Sequence, residues 1–451
     1  MATEFETKLN ELQEAGTLPG GVYIAADASG RFTYTHQFGV STASPTVNRK
    51  PAFTPDTRLV VASCTKLSTA VAVMKVVEAG MVTLDEDLRK TILPELGELQ
   101  IIESVDQNGV PVLKPNDRPI TLRHLLTHTS GLGYDLVDPP LMAWRAHTGT
   151  LPWTGPTIPA RMSVPLQFAP GTGWRYGVGA DWAGLVVERA SGQELDHFLQ
   201  ENVWKKLGVT KATFWRHRIQ KEQAAAGHEV EGEWAEEAML IPPQAAGGAG
   251  GGLDMGVATK SDALPVAVPL QGFDMLGGLE KPSGGGGLSC TAAEYLALLK
   301  AVLRKDPSVL GETSWDELLM PQVGEGRPVG IEAWNSLNRT LKEDDQWDVN
   351  CGMNLPRNMN KSLSLAGLVS EDVFELGNGA KISKGTVLWG GMTGMTWFVD
   401  RENGLCGLAA PQVFTFGQRP LHDLNALWLQ QIFKWHRDHK DQAVSALSRQ
   451  A

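Results

Sequence analysis

A chain of 451 residues, 42% hydrophobic and 20% charged, is long enough to bury a large core and to divide into two lobes. Its 51 acidic against 40 basic residues give a formal net charge of −11, which speaks against a nucleic-acid or anionic-membrane surface and for a neutral or apolar small substrate. No apolar run reaches the length of a membrane-spanning helix.

The start, Met-Ala-Thr-Glu-Phe-Glu-Thr-Lys-Leu, has no basic segment followed by an apolar core, so the expectation is a cytoplasmic protein without a secretory signal. Phe5, Leu9 and Leu12 recur at helical spacing and predict an opening helix that ends near Gly16. Two strand-like runs, 20–26 and 31–39, flank Asp27-Ala28-Ser29-Gly30 and read as a hairpin. Val60-Val61-Ala62-Ser63-Cys64-Thr65-Lys66 then leads into a helix with Leu67, Ala70, Val71, Met74 and Val77 on its apolar positions and Gly80 as its stop. Ser63 and Lys66 lie one turn apart, on the same side of that helix. A serine attacks a carbonyl only when a neighbouring base takes its proton. A lysine serves once burial and the positive end of the helix dipole disfavour its charged form. Taken alone, a Ser-x-x-Lys pair is far more often an N-cap and a solvated lysine, since short motifs match often by chance.

Beyond Gly80, residues 82–88 predict a short turn into a helix with its acids near the start. Thr121 to Gly131 predicts a short helix capped by Thr121, with His124 and His128 on one face. The glutamate of the zinc-protease pattern is absent and no third ligand stands out, so packing is expected rather than metal binding. The stretch 134–170, rich in Pro and Trp, reads as pocket-forming loops. Tyr176 sits on a loop before a helix containing Ala183, Val186 and Ala190, and its plain reading is a half-buried aromatic. Glycine runs at 247–252 and 284–287 lack the Lys-Ser/Thr of a phosphate loop, and suit close backbone approach beside a pocket. Ser289 or Thr291 can cap the helix through Tyr295, Leu296 and Leu299. Residues 386–392, 395–400 and 404–410 predict a three-stranded meander, and 421–435 a closing amphipathic helix with a solvated tail. The cysteines, Cys64, Cys290, Cys351 and Cys406, show no metal-type spacing and read as free thiols of a reducing compartment, with Cys64 a packing residue.

Ser63-x-x-Lys66, the Pro-Gly-x-x-x-x-Tyr176 loop, His124 to Leu132 and the strand ending Trp389-Gly390-Gly391 stand in an order that resembles the serine β-lactamase and D,D-peptidase superfamily, in its class C-like branch. Class C β-lactamases carry Tyr-x-Asn and Lys-Thr-Gly where this chain has Tyr176-Gly177-Val178 and Trp389-Gly390-Gly391. Those departures make it more similar to the β-lactamase-like (family VIII) esterases and the fungal acyltransferases of the lovastatin-pathway type. The resemblance implies an α+β fold: an antiparallel sheet flanked by helices, formed by residues 1–90 and 290–451, plus a mainly helical lobe over 91–289. It further implies serine-dependent acyl transfer on a small ester or thioester, with Ser63 as nucleophile, Lys66 and Tyr176 sharing the proton, and an oxyanion hole from the backbone amides of Ser63 and Met392. Which of Lys66 and Tyr176 is the primary base stays open. Trp389, Gly390 and Gly391, with Trp144, Trp153 and Trp174, are the expected substrate-binding residues, although ordinary packing accounts for the loop tryptophans equally well. Neither cofactor nor metal is expected. The expected partners are a small acyl donor, or an acyl-carrier or polyketide synthase domain in that role, and an alcohol or water acceptor. The rival expectations are a β-lactamase or D,D-peptidase, disfavoured by Val178 and Trp389, and a catalytically silent binding scaffold.

Overall fold

The structure, a computed structural model, describes residues 2–44, 50–225, 233–241, 264–270, 276–343, 359–414 and 420–448. The glycine run at 247–252 and Cys351 lie outside the described residues.

A seven-stranded antiparallel sheet runs in the order Thr33–Gly39, Gly20–Asp27, Leu405–Pro411, Thr396–Asp400, Val387–Gly390, Leu368–Ser370, Lys361–Leu363. All eight residues of Gly20–Asp27 are buried, because both faces of that strand are covered. On one face Tyr23 packs against Phe5 of the opening helix Glu4–Glu14 and against Trp428 of the closing helix Pro420–Ser448, with Phe398 beside Trp428 and Phe433. The other face is covered by the helix Ala292–Arg304, which contacts three of the strands. Thr33–Gly39, at the edge, alternates between exposed and more buried residues, the pattern of a strand with one wet face.

Local chemistry explains where the main helices begin. Thr3 caps the opening helix in a capping box with Glu6, and Thr291 caps Ala292–Arg304 in another with Glu294. Of the two expected caps, Thr291 makes the hydrogen bond. The nucleophile helix spans Thr65–Glu78, and every residue from Thr65 to Met74 is buried, so it runs through the middle of the molecule rather than along its surface. It packs against the helix Gly179–Ser191.

Two segments differ from expectation. Residues 82–92 form turns and bends instead of a helix, because Asp85 and Asp87 are drawn into side-chain pairs with Arg123 (2.6 Å) and Arg89 (2.8 Å), while Leu88 N–H donates to Ile120 O. The stretch read as loops contains two helices, Pro139–Thr148 and Ile158–Met162. Prolines in their first turns, where no intrahelical N–H is needed, start both. No described helix is long and apolar enough to cross a membrane.

Candidate active site

Ser63 lies in a single 3-10 turn, Ala62–Cys64, at the head of the nucleophile helix. Ala62 has φ +45°, a left-handed conformation that costs a non-glycine residue on the order of 1 kcal/mol and persists only where its surroundings hold it. They do. Thr65 Oγ1 donates to Ala62 O (2.6 Å), and Val61 N–H donates to Leu288 O (3.1 Å). Gln412 clasps Val60 from both sides, accepting from its N–H (2.9 Å) and donating to its carbonyl (3.2 Å). The short strand Arg58–Val60 also pairs with Ser289–Thr291, which ties the turn to the second glycine run.

Lys66 is only 6% exposed. Its Nζ donates to Ser63 Oγ (3.2 Å), Tyr134 Oη (3.3 Å) and Gly285 O (2.7 Å). Of these three partners Gly285 O alone is an obligate acceptor; the two hydroxyls can also donate, so protons can pass between the amine and either hydroxyl. The Tyr176 ring lies 4.9 Å from Nζ and the Tyr134 ring 5.9 Å, two aromatic faces that favour a cation at this point.

The glycine run holds the other side. Gly285 N–H donates to Asp181 Oδ1 (2.9 Å) while its carbonyl takes Lys66, and Thr69 Oγ1 reaches Gly284 O (2.7 Å). A Cβ on Gly285 would overlap the Asp181 carboxylate, and one on Gly284 would meet Ala180 O at 2.5 Å. Both positions therefore require glycine, as close backbone approach beside a pocket predicts. Burial raises the pKa of the Asp181 carboxyl, and the neighbouring Lys66 charge and the hydrogen bonds from Ser283 and Gly285 oppose that rise. Burial likewise drives up the Cys64 thiol, which suits a packing residue and not a nucleophile.

Gly391 completes the inner wall. Its Cα is so close to the serine turn that a Cβ would lie 2.7 Å from Val61 O and 3.3 Å from Ser63 N. Thr393 Oγ1 ties this stretch to Val60 O (3.2 Å). Neither the Ser63 nor the Met392 backbone N–H donates a hydrogen bond to any described residue. Both residues line a cleft of about 1070 Å³, counted to its open mouth, with Tyr134, Asp181, Gly285 and Trp153 on the same lining.

The sequence-selected aromatics divide. Trp153 lines the cleft, in a left-handed conformation (φ +56°) with its backbone N–H donating to Asp135 Oδ2 (3.2 Å) and its ring 5.5 Å from that of Tyr134. Trp389 does not line it. It is buried behind, stacked on His128 (5.8 Å between centroids, 10° between planes) and edge-on to Tyr176 (5.5 Å). Trp174 is buried with its backbone N–H donating to Ser336 Oγ (3.1 Å), and Trp144 packs under the Arg145 guanidinium (5.1 Å); neither lines the cleft. Burial keeps His128 neutral by lowering its pKa well below the usual histidine value, and lowers His124, packed beside Gly171, to about 4. Among the described residues no cluster of three or more metal-ligating side chains occurs.

Three residues of the site, Tyr134, Asp181 and Gln412, were not singled out from the sequence. Tyr134 follows the Ser130-Gly131-Leu132-Gly133 turn, and its backbone N–H is pinned by Asp138 Oδ2 (2.9 Å). An isolated tyrosine in an irregular stretch carries no periodic signal.

A serine presented by a strained turn, with an amine held one helical turn away, on an antiparallel sheet flanked by helices, is the arrangement of a serine acyl-transfer enzyme. The chain belongs to the β-lactamase family, whose profile matches residues 5–429. It is 30% identical to a lovastatin esterase of Penicillium rubens over 417 residues, covering 91% of this chain and 92% of that protein. It is 29% identical to a monacolin J acid methylbutanoyltransferase of Aspergillus terreus, covering 95% and 94%. A solved structure of a variant of simvastatin synthase, LovD, from the same fungus superimposes with a TM-score of 0.79 at 28% identity, covering 96% of this chain and 95% of that one.

Proposed function

We propose that the protein moves an acyl group from a small ester or thioester of secondary metabolism to an alcohol or to water through an acyl-enzyme on Ser63. The observation that carries this reading is the 3.2 Å contact between Lys66 Nζ and Ser63 Oγ, made by an amine already anchored on Gly285 O. Ser63 Oγ attacks the acyl carbonyl as its proton passes to Lys66 Nζ, and the Tyr134 hydroxyl hands that proton on to the leaving group. The oxyanion is met by the backbone N–H groups of Ser63 and Met392. The Tyr176 ring steadies the ammonium formed at Lys66. An acceptor hydroxyl then attacks the acyl-enzyme along the same proton route in reverse.

The esterase and the methylbutanoyltransferase among the relatives support ester chemistry with a short acyl group. An acyl-carrier or polyketide synthase domain is the candidate donor, and Trp153 the candidate aromatic contact for the acceptor. Trp389 and Val178, where class C β-lactamases carry Lys and Asn, weigh against efficient β-lactam turnover. The test compares p-nitrophenyl butyrate with a chromogenic cephalosporin. Ester turnover well above cephalosporin turnover is the expected result; the reverse order would overturn the esterase or acyltransferase reading in favour of a β-lactamase.

A further inference from the structure

On the reading that the Ser63 and Met392 amides receive the oxyanion, we propose that Gln412 and Thr393 are positioning residues: meeting at the Val60 carbonyl, they fix the spacing between those two amides.

The two donors sit on segments remote in sequence. Ser63 belongs to the 3-10 turn Ala62–Cys64, and Met392 to the turn between the strands Val387–Gly390 and Thr396–Asp400. Each turn is closed on itself. Cys64 N–H donates to Val61 O (3.0 Å), Gly391 N–H to Met395 O (2.7 Å) and Gly394 N–H to Gly391 O (2.9 Å). Among the described residues no backbone-to-backbone hydrogen bond joins one turn to the other. Their distance must still be held closely, because a hole stabilises charge only when both donors lie about 2.7–3.1 Å from one oxygen position.

Val60, at the foot of the serine turn, supplies the joint. It pairs with Ser289, which spends its own N–H and carbonyl on Thr213 (2.8 Å each). The backbone groups of Val60 therefore face away from Ser289, and there the Gln412 carboxamide takes the place of a strand. A primary amide carries the same acceptor and donor as a peptide. Its Oε1 accepts from Val60 N–H (2.9 Å) and its Nε2 donates to Val60 O (3.2 Å). The second lone pair of Val60 O takes Thr393 Oγ1 (3.2 Å), and Thr393 O accepts from Val413 N–H (3.0 Å). Three segments thus close a ring of hydrogen bonds beside Met392. Gln412 and Thr393 are both buried, so water does not replace either bond when it is lost.

Contact sets the opposite limit. Gly391 meets the serine turn with no room for a Cβ, which would lie 2.7 Å from Val61 O, so the turns are kept from closing further while the bonds at Val60 O keep them from parting. The tetrahedral oxyanion depends on that spacing more than the bound ester does, so the two side chains act on kcat rather than on KM.

The test measures kcat and KM for p-nitrophenyl butyrate and the inhibition constant of propylboronic acid. Boron accepts Ser63 Oγ as the serine proton passes to Lys66, giving a tetrahedral anion with one boron-bound oxygen in the hole. Thr393→Val keeps the shape of the side chain and deletes its bond to Val60 O, whereas Thr393→Ser keeps the hydroxyl. Gln412→Glu keeps an acceptor for Val60 N–H and sets a carboxylate oxygen against Val60 O. Thr393→Val should lower kcat and boronate affinity together by about tenfold, part of the roughly 10²–10³-fold that a whole oxyanion donor is worth. KM should stay nearly unchanged. Gln412→Glu should lower both further, and Thr393→Ser should restore most of the loss; the two Thr393 variants decide the matter alone if Gln412→Glu does not fold. A KM that rises as much as kcat falls, a fall in kcat with boronate affinity intact, or wild-type values in Thr393→Val would overturn the proposal alone. Absence of any boronate adduct or inhibition in the wild-type chain would instead overturn the acyl-enzyme reading, and the proposal with it.

Discussion

The two walls of the cleft are built on different principles. Around Ser63 the polar atoms are held by partners: Lys66 reaches Ser63, Tyr134 and Gly285, Gly285 is engaged through both its N–H and its carbonyl, and Gln412 clasps Val60 from both sides. The strain at Ala62 persists because these contacts over-determine it. Across the cleft, Arg218 and Lys281 extend into solvent on screened ion pairs, and the Arg216 Nε has no hydrogen-bond partner among the described residues. Reaction geometry tolerates little displacement, since misplacing reacting groups by about 1 Å costs on the order of 10²-fold in rate. Recognition of the substrate's far end tolerates more. A tightly bonded inner wall can therefore stay fixed while the outer wall changes with the substrate.

The sharpest way to break this contrast is to empty its centre. Lys66→Met keeps the length of the side chain and removes the amine. Acylation should fall by about 10²–10⁴-fold, the usual contribution of a positioned acid or base, with a far smaller change in KM. A KM effect as large as the kcat effect would show that Lys66 holds substrate rather than protons. Gly285→Ala should come next. Its Cβ would collide with the Asp181 carboxylate, so the loop must shift and draw its carbonyl away from Lys66. Thermal unfolding should report a loss of about 1–3 kcal/mol, accompanied by lower kcat. Gly286→Ala in the same run has an open position and serves as the control with little loss of stability. Tyr134→Phe removes the hydroxyl that passes the proton to the leaving group along with its hydrogen bond to Lys66, and should lower kcat by about 10²-fold, the low end for a positioned acid.

The smallest effect is on stability in acid. His124 and His128 are held neutral in the folded protein, with pKa values below that of an unfolded histidine. Below about pH 6.5 the unfolded chain takes up protons that the folded chain refuses, so stability is full above that pH and declines as pH falls toward about 4. From about pH 7 to about pH 5.5 each such histidine should remove about 1 kcal/mol. Unfolding midpoints measured across that range should fall, and His124→Gln should flatten the slope. An unchanged slope in that variant would place the titration elsewhere.

Local signals made much of this legible from sequence. The serine turn and its helix, the hairpin at 20–39, the capping residue Thr291 and the meander at 387–411 each declare themselves within a few residues. What sequence could not give was decided by distant partners. The helix predicted near residues 82–88 is lost because Asp85 and Asp87 find arginines, one of them 38 residues away. Pro139 and Pro140 read as loop although they open a helix. Trp389 was expected at the pocket surface and lies behind it, because His128, in a left-handed conformation, stacks on its ring. Tyr134 and Arg216 face the cleft from irregular chain or a helix start, where no periodicity indicates the direction of a side chain.

The most direct test of the central claim is intact mass of the protein after exposure to p-nitrophenyl butyrate and to a short acyl thioester, alongside Ser63→Ala. A butyryl or other acyl adduct on the wild-type chain and none on the variant is the predicted result. An adduct of the same size on both chains, or none on either with no ester turnover, would contradict an acyl-enzyme at Ser63.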